Sequence, residues 1–383
     1  MLALEYRPTP QSYAAARVSR RAGLASLHLT EMRPPALIGA DWVVVHPRLT
    51  GICGSDQALL DGHASLYMSS LTSTPFVPGH EVVGVAAGGQ WRGRRVVVEP
   101  ALGCEARGVS PQCIECESGR HALCREVVSG DLAAGLQIGF CRQTGGGWSE
   151  ALVAHDSQLH PVPEELSDED AVLTEPLACA LHAVGRAELD SGATVAVIGA
   201  GTIGLLTVAA LREAHPDATV VAVAKHRGQE LEARRMGADE VYAPGELHHR
   251  GARLTGARRL VGIGGRELLL GGFDVVFDCV ATGPTLESAV TAVRPRGLVV
   301  LVGMPGHVGV DLSMAWQREI DIRGAYGYGD EFPAALELSG RLRLGRLVAD
   351  GWALDDYRLA LEQSRRATRA GHVKTVFCPG EAA

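Results

Sequence analysis

One glycine-rich segment constrains the fold of this chain more than any other. An apolar stretch at residues 194–198 runs into the segment 199–204, which has the spacing G-x-G-x-x-G, and an apolar helix-forming stretch follows at 205–211. A strand, this turn and a helix in that order are typical of a dinucleotide-binding loop, where glycines let the backbone approach a pyrophosphate at the helix N-terminus. The predicted cofactor-binding residues here are Gly199, Gly201, Thr202, Ile203 and Gly204.

Strand-like and helix-like stretches continue to alternate after this loop. Further apolar strands are predicted at 219–224, 274–278, 298–302 and 320–324. This alternation is typical of a Rossmann fold, a doubly wound parallel sheet of the α/β class. The arginine-rich segment 245–272 does not follow the pattern, and we expect it to be a solvated insertion or an irregular helix without a function.

The end of the second predicted strand bears on cofactor choice. A carboxylate about 20 residues past the glycine motif would bind the ribose 2′-hydroxyl of NAD. Here Lys225, His226 and Arg227 follow the strand instead. Because cations attract a 2′-phosphate, we predict that NADP(H) is preferred over NAD(H). The alternative is that Lys225 and Arg227 are solvated surface charges.

The part of the chain before residue 165 has a different character. Short strands between glycine and proline turns predict a β-rich domain, and 383 residues suit two domains. After Tyr326 the alternation stops, and two helical segments (332–344 and 354–366) and a strand (373–377) are expected to return to the first domain. We therefore predict a β-rich domain at 1–168 and 326–383, and a dinucleotide-binding domain at 169–325.

Composition excludes several classes of function. The formal net charge of −8 argues against a nucleic-acid partner, and no stretch has the roughly 18 uninterrupted apolar residues of a membrane span. The first 30 residues lack the apolar core of a secretory signal, so we expect a cytoplasmic protein. In that setting, nine cysteines favour metal binding or buried thiols over disulfides.

Three distant residues offer the ligand types that zinc prefers. Cys53, His80 and Glu175 supply a thiolate, an imidazole and a carboxylate, and three protein ligands leave a fourth position open. Asp56 and Glu81 are then expected to orient these ligands or to exchange with them. The alternative for His80 and Glu81 is a solvated surface pair.

A second candidate metal site lies in a cysteine-rich loop. The tight pair Cys113 and Cys116 is accompanied by Cys104 and Cys124, which places four thiols within 21 residues. Close-spaced thiolates can surround one tetrahedral ion, so we predict a structural zinc site. The alternative is four unrelated cysteines.

Two further segments have local signatures. Residues 145–150, with three consecutive glycines, are expected to form a flexible turn. Ser167 and the acids after it predict a capped helix on which Glu175, Cys179 and His182 share one face. That face could line a pocket, although Cys179 is better explained as buried packing and His182 as a structural hydrogen-bonding residue.

With these motifs in place, the chain resembles the zinc-containing medium-chain dehydrogenase/reductase superfamily of alcohol, polyol, threonine and glucose dehydrogenases. The resemblance spans nearly the whole chain and rests on the segments 51–56, 79–81, 104–124, 175–176 and 199–204. It implies a GroES-like catalytic domain, a Rossmann domain and an active site in the cleft between them.

The resemblance also implies roles for single residues. Catalytic zinc ligands fall on Cys53, His80 and, as in the polyol-dehydrogenase branch, Glu175, while the proton-relay hydroxyl falls on Ser55. The cation that contacts the cofactor pyrophosphate falls on Lys374, and members are homodimers or homotetramers.

This sequence departs from the family at two further points. Eight residues separate Cys104 from Cys113 where the family normally has two. Ala58 stands where many members have a relay histidine, for which His63 is a candidate substitute or a surface residue.

The main functional hypothesis is a zinc-dependent oxidoreductase that transfers hydride between NADP(H) and a small alcohol or carbonyl substrate. The substrate pocket is expected at 63–74 and 316–328. One alternative is a biosynthetic zinc-assisted reductase of a carbonyl or an activated double bond. Another is a nucleotide-binding protein that has lost catalysis.

Overall fold

The computed structural model describes residues 1–19, 24–370 and 373–380, with only the backbone for 367–370. The chain forms two compact units. Unit 1 contains Met1–Ala178, Tyr328–Ala367 and Lys374–Ala383, and unit 2 contains Cys179–Gly327 and Thr368–Val373. The domain boundaries after residues 168 and 325 stay a prediction.

Unit 1 is built on an antiparallel sheet whose paired order is β16-β3-β4-β5-β7. A further strand, β6, pairs with β3 outside this order. These strands are β3 (Trp42–Gly51), β4 (Val82–Ala86), β5 (Arg95–Val98), β6 (Leu152–His155), β7 (Leu159–Pro161) and β16 (Val376–Phe377). Alternating apolar side chains of β3, β4 and β5 enter one core, because side chains two apart share a sheet face: Val43 and Val45, Val82 and Ala86, and Val96 and Val98. This curled antiparallel sheet is the predicted GroES-like domain.

Other elements surround this sheet. A small two-stranded sheet pairs β1 (Leu2–Tyr6) with β2 (Leu27–Glu31). The helices of unit 1 are α1 (Pro10–Val18), α2 (Gly54–Leu60), α3 (Ile114–Glu117), α4 (Asp168–Ala171), α11 (Phe332–Leu342) and α12 (Tyr357–Ala370, which runs on into unit 2). Short 3-10 turns lie at Leu24–Ser26, Leu66–Leu71, Gly89–Trp91, His121–Leu123, Asp156–Gln158, Leu344–Leu347 and Leu354–Asp356.

The capped helix predicted after Ser167 is shorter than expected. Ser167 does accept a hydrogen bond from the Asp170 amide, but α4 ends at Ala171. A separate helix, α5 (Thr174–Gly185), carries Glu175 in its first turn.

Unit 2 contains the predicted parallel sheet, in the order β10-β9-β8-β13-β14-β15. Every pairing between these strands is parallel, as in a Rossmann fold. The strands are β8 (Thr194–Ile198), β9 (Thr219–Val223), β10 (Glu240–Tyr242), β13 (Phe273–Asp278), β14 (Val293–Leu301) and β15 (Asp321–Gly324). The helices are α6 (Thr202–Ala214), α7 (Arg227–Arg235), α8 (Leu247–Thr255), α9 (Gly283–Ala292) and α10 (Ser313–Gln317).

The arginine-rich segment is more ordered than the sequence suggested. It contains α8 and a β-hairpin of β11 (Arg258–Val261) and β12 (Glu267–Leu270), with short 3-10 turns at Pro244–Glu246 and Ile263–Gly265. Leu247 and Leu269 are buried with Phe273 in the core of unit 2. The expectation of a solvated insertion or an irregular helix therefore holds only in part, because residues 258–266 are exposed and 247–255 are helical, but two apolar side chains anchor the segment.

Among the described residues, no helix combines the length and the apolar character that crossing a bilayer requires.

Candidate active site

The pairing of β3 with β4 brings two distant motifs together. Thr50 lies opposite Val82 in the register, and the Gly51 amide donates to the Glu81 carbonyl at 2.9 Å. Cys53 lies two residues after the end of β3 and forms the N-cap of α2, with extended backbone angles. The sheet register alone therefore places Cys53 beside the turn that carries His80.

Three side chains from these two motifs could share one metal ion. The ligand atoms of Cys53, His80 and Glu81 all lie within 4.8 Å of one another. His80 and Glu81 are 4% and 1% exposed, which contradicts the alternative of a solvated surface pair. Sulfur, imidazole nitrogen and carboxylate oxygen are the donors that zinc takes in proteins, so this set fits the ion.

Asp56 supports this interpretation of His80. Its Oδ1 lies 3.6 Å from His80 Nδ1, and among the described residues neither atom has a hydrogen-bond partner, while Oδ2 accepts from the Cys53 amide. Burial works to lower the pKa of His80, but Asp56, Cys53 and Glu175 raise it well above its ordinary value. A carboxylate behind Nδ1 is the arrangement that orients a histidine whose other nitrogen binds a metal.

Lys374 lies at the same centre. Its Nζ donates to both carboxylate oxygens of Glu81 at 2.6 Å. Burial works to lower the pKa of Lys374, but the charge of Glu81 raises it above its ordinary value. The pyrophosphate contact predicted for Lys374 stays a prediction, and the contact that the structure records is an ion pair.

Glu175, the predicted third ligand, lies near this group but outside it. It is buried in the first turn of α5, and its charge raises the pKa values of both His80 and Lys374. The set of mutually close ligand atoms includes Glu81 in its place. Ser55 lies partly exposed in the first turn of α2, and His63 is exposed at the surface.

The three-glycine segment is a rigid support for this centre. Trp148 is fully buried, and its Nε1 donates to the Gly51 carbonyl at 3.2 Å. The Trp148 amide donates to Pro78, and a Cβ on Gly147 would lie 2.3 Å from Thr50 Oγ1. The expected flexible turn was therefore wrong. A large apolar side chain directly after the glycines was the sequence signal for burial.

The four cysteines of the second candidate site also converge. The sulfur atoms of Cys104, Cys113, Cys116 and Cys124 lie within 4.8 Å of one another. The eight-residue spacer does not remove Cys104 from the group, because the segment turns back on itself with the Val109 amide donating to the Cys104 carbonyl. Burial raises the pKa of Cys116 and Cys124, while amide donors such as Arg125 outweigh burial and lower the pKa of Cys113. Four close sulfurs fit a tetrahedral zinc ion.

The glycine loop of unit 2 has the geometry that a pyrophosphate requires. A Cβ on Gly204 would lie 1.6 Å from the Gly199 carbonyl oxygen, so the loop can pack on the helix only without a side chain there. Thr202 begins α6, and its hydroxyl donates to the Val373 carbonyl at 2.9 Å. Gly201 and Ile203 flank this residue at the helix N-terminus.

The basic residues after β9 differ in their surroundings. Lys225 is exposed and forms no ion pair with any residue that the structure describes. Arg227 forms an ion pair with Glu230 at 2.7 Å, one turn along α7. The Gln229 side chain accepts from the backbone amides of Lys225 and His226, a role that the sequence did not suggest.

Comparison with known proteins decides the family. The family model for the alcohol dehydrogenase GroES-like domain matches residues 39–164, and that for zinc-binding dehydrogenases matches 202–341. The chain is 30% identical over 372 residues to a sorbitol dehydrogenase of Arabidopsis thaliana, covering 93% of this chain and 94% of the relative. The chain belongs to the zinc-containing medium-chain dehydrogenase/reductase superfamily.

Other superfamily members support the same assignment. A D-xylulose reductase A of Aspergillus oryzae is 29% identical, covering 91% of this chain and 92% of the relative. Among solved structures, 2R,3R-butanediol dehydrogenase from Bacillus subtilis matches the fold with a TM-score of 0.73, 24% identity and 99% coverage of both chains. A structure described as a putative zinc-binding dehydrogenase from Sinorhizobium meliloti 1021 bound to NADP has a TM-score of 0.70, 26% identity, and coverage of 92% and 95%. This superfamily member is therefore an oxidoreductase that uses zinc and a nicotinamide cofactor.

Proposed function

We propose that this enzyme catalyses the reversible oxidation of a small alcohol to a carbonyl compound with NADP(H) as the preferred cofactor. The observation that carries the proposal is the convergence of Cys53, His80 and Glu81 within 4.8 Å in a buried setting. Relatives named sorbitol dehydrogenase and D-xylulose reductase favour a polyol or the matching ketose as the substrate class.

For the catalytic metal we propose Cys53, His80 and Glu175 as protein ligands. Glu81 lies closer, but both of its oxygens accept from Lys374. A carboxylate engaged in this way would keep its ion pair with Lys374, and the nearby Glu175 would supply the third ligand. Three protein ligands leave the fourth position of a tetrahedral ion open, as in catalytic rather than structural zinc sites.

The chemistry divides between the bound groups and the chain. Zinc supplies Lewis acidity toward an alcohol or carbonyl oxygen, and nicotinamide supplies the hydride acceptor or donor. Ser55, in the first turn of α2, takes the hydroxyl proton of the alcohol and passes it to solvent. Asp56, with Oδ1 3.6 Å from Nδ1 of His80, is placed to orient the imidazole.

The proposed preference for NADP(H) rests on Lys225 more than on Arg227. Lys225 is exposed and unpaired among the described residues, whereas the guanidinium of Arg227 already binds Glu230. A charge-assisted hydrogen bond to a phosphate contributes about 1.5–3 kcal/mol, roughly a tenfold to hundredfold effect on binding.

Four cysteines at 104–124 hold the second, structural zinc in this proposal, and we expect a cytoplasmic homodimer or homotetramer.

Steady-state kinetics with a panel of polyols, simple alcohols and ketoses tests the proposal. We expect kcat/KM to be higher with NADP than with NAD. Lys225→Ala should reduce that ratio about tenfold or more, Arg227→Ala should reduce it less, and the matched control Arg235→Ala on the same helix should leave it unchanged. A wild-type preference for NAD would refute the cofactor assignment, and no turnover of any hydroxyl or carbonyl compound would refute the reaction class.

A further inference from the structure

A buried arginine lies inside the cysteine-rich loop. Arg107, in the segment between Cys104 and Cys113, has an exposed fraction of 0%. Its guanidinium donates only to backbone carbonyl oxygens. Those of Leu102 and Ser129 lie at 3.0 Å, those of Leu132 and Ala133 lie at 3.4 Å, and Gly135 is also an acceptor.

Among the described residues, no Asp or Glu lies within ion-pair distance of Arg107. A guanidinium does not lose its proton in proteins, so the interior of unit 1 holds a full positive charge at Arg107. Burying a charge is costly unless an opposite charge compensates it, and carbonyl dipoles supply only part of that compensation.

The cysteine cluster is a source of negative charge that acts on Arg107. The Arg107 amide donates to the carbonyls of Gly103 and Cys104, so the residue lies one turn from the first ligand. Burial works to lower the pKa of Arg107, and the sulfurs of Cys141, Cys124 and Cys104 oppose that shift. Four thiolates around a divalent ion carry a net charge of −2 in a site where Cys104 and Cys116 are buried.

We propose that Arg107 is the built-in counter-charge of the four-cysteine zinc site and that retention of zinc depends on its positive charge. The cation and the anionic cluster each offset the cost of burying the other. This inference rests on the structural zinc of the proposed function. It also gives the eight-residue spacer between Cys104 and Cys113 a role, because the spacer carries the cation.

A different role would explain the same hydrogen bonds. Arg107 could have a purely structural role, in which its hydrogen bonds connect residues 129–135 to Leu102. The two roles differ in what lysine can replace. Lysine keeps the charge but cannot reproduce five carbonyl contacts, whereas glutamine loses both the charge and most of the contacts.

The test follows zinc release from the purified holoenzyme to a chromogenic chelator. Zinc per chain and the release rate are measured for wild type, Arg107→Lys and Arg107→Gln, each also combined with Cys53→Ala so that only zinc at the cysteine loop is observed. We expect Arg107→Lys to stay within a few-fold of wild type and Arg107→Gln to release zinc about tenfold faster or more.

Arg318→Gln is the matched control. Arg318 is a buried arginine of unit 2 that donates to the carbonyls of Leu269 and Gly271. It should lower stability without changing zinc release from the cysteine loop. Equal acceleration by Arg318→Gln would show that zinc loss follows from general destabilisation and would overturn the inference.

The remaining outcomes separate the inference from the proposed function. Equal release rates for Arg107→Lys and Arg107→Gln, whether fast or slow, would overturn the counter-charge role alone. If Arg107→Gln does not fold, Arg107→Lys alone distinguishes the two roles. The purely structural role predicts fast zinc loss from Arg107→Lys, and the counter-charge role predicts that zinc is retained. Wild-type protein without zinc at the cysteine loop would remove the structural site and the inference with it.

Discussion

The Nζ of Lys374 lies 2.6 Å from each carboxylate oxygen of Glu81, and the two side chains are 3% and 1% exposed. These residues are 293 positions apart, so the pair joins the segment just before β16 to the turn that carries His80. A buried pair of this kind fixes the carboxylate in one orientation. The ion pair therefore holds the Glu81 carboxylate in place at the candidate metal centre.

Breaking this ion pair should cost more than removing it. Lys374→Met leaves a buried carboxylate without a partner, which costs about 3–5 kcal/mol, and Glu81→Gln leaves the ammonium in the same situation. The double variant should be destabilised by clearly less than the sum of the single changes. Urea denaturation of the four proteins measures this coupling, and additivity within about 0.5 kcal/mol would show that the two charges are independent.

Gly51 should tolerate no side chain. An added Cβ would lie 1.7 Å from Glu81 Oε2, so Gly51→Ala must displace that carboxylate. Because a misplacement of about 1 Å at an active site can reduce turnover about a hundredfold, we expect a loss of that order in kcat/KM. Gly54→Ala is the control, since nothing lies within 4 Å of its added Cβ. Equal activity of the two variants would refute the role given to Glu81.

His248 should make the stability of unit 2 depend on pH. Its Nε2 lies 2.9 Å from Thr291 Oγ1 and its Nδ1 lies 3.6 Å from Glu267. Burial lowers the pKa of His248 below its ordinary value of 6.5, with Arg259 adding to the shift and Glu267 opposing it. The unfolded chain therefore binds a proton at a higher pH than the folded chain does, and stability is lost as pH falls below about 6.5.

Thermal melts at two pH values test this titration. The difference in melting temperature between wild type and His248→Gln should be larger at pH 7.5 than at pH 5.5, because glutamine does not titrate. A difference that stays constant would show that folding does not shift the pKa of His248, and a difference that grows at the lower pH would show that folding raises it; either result would contradict the prediction.

Sequence patterns predicted those parts of the fold that depend on residues close together in the chain. The glycine segment 199–204, the parallel strands of unit 2 and the convergence of the four cysteines follow from spacing and periodicity over short distances. The grouping of Cys53 with His80 rested on their ligand types and on the family resemblance, and the β3–β4 register that joins them was not predicted, because no local pattern states which strands pair.

Contacts between distant residues could not be predicted in the same way. Nothing in the sequence near Lys374 indicates that its ammonium binds Glu81. Three consecutive glycines suggest flexibility, and only the structure shows that Trp148 is buried beside them. The hairpin at 258–270 was missed because Leu247 and Leu269 are apolar anchors separated by arginines. The buried cation at Arg107 was missed because arginine in a glycine-containing loop is usually a surface residue.

Metal analysis of wild type and Cys53→Ala, with turnover and NADP(H) binding measured on the same samples, tests the central claim most directly. We predict that the variant holds one zinc ion fewer per chain than wild type, loses turnover, and binds NADP(H) as wild type does. A variant that keeps the full zinc content, or that keeps turnover, would contradict the assignment of catalysis to the metal at Cys53 and His80.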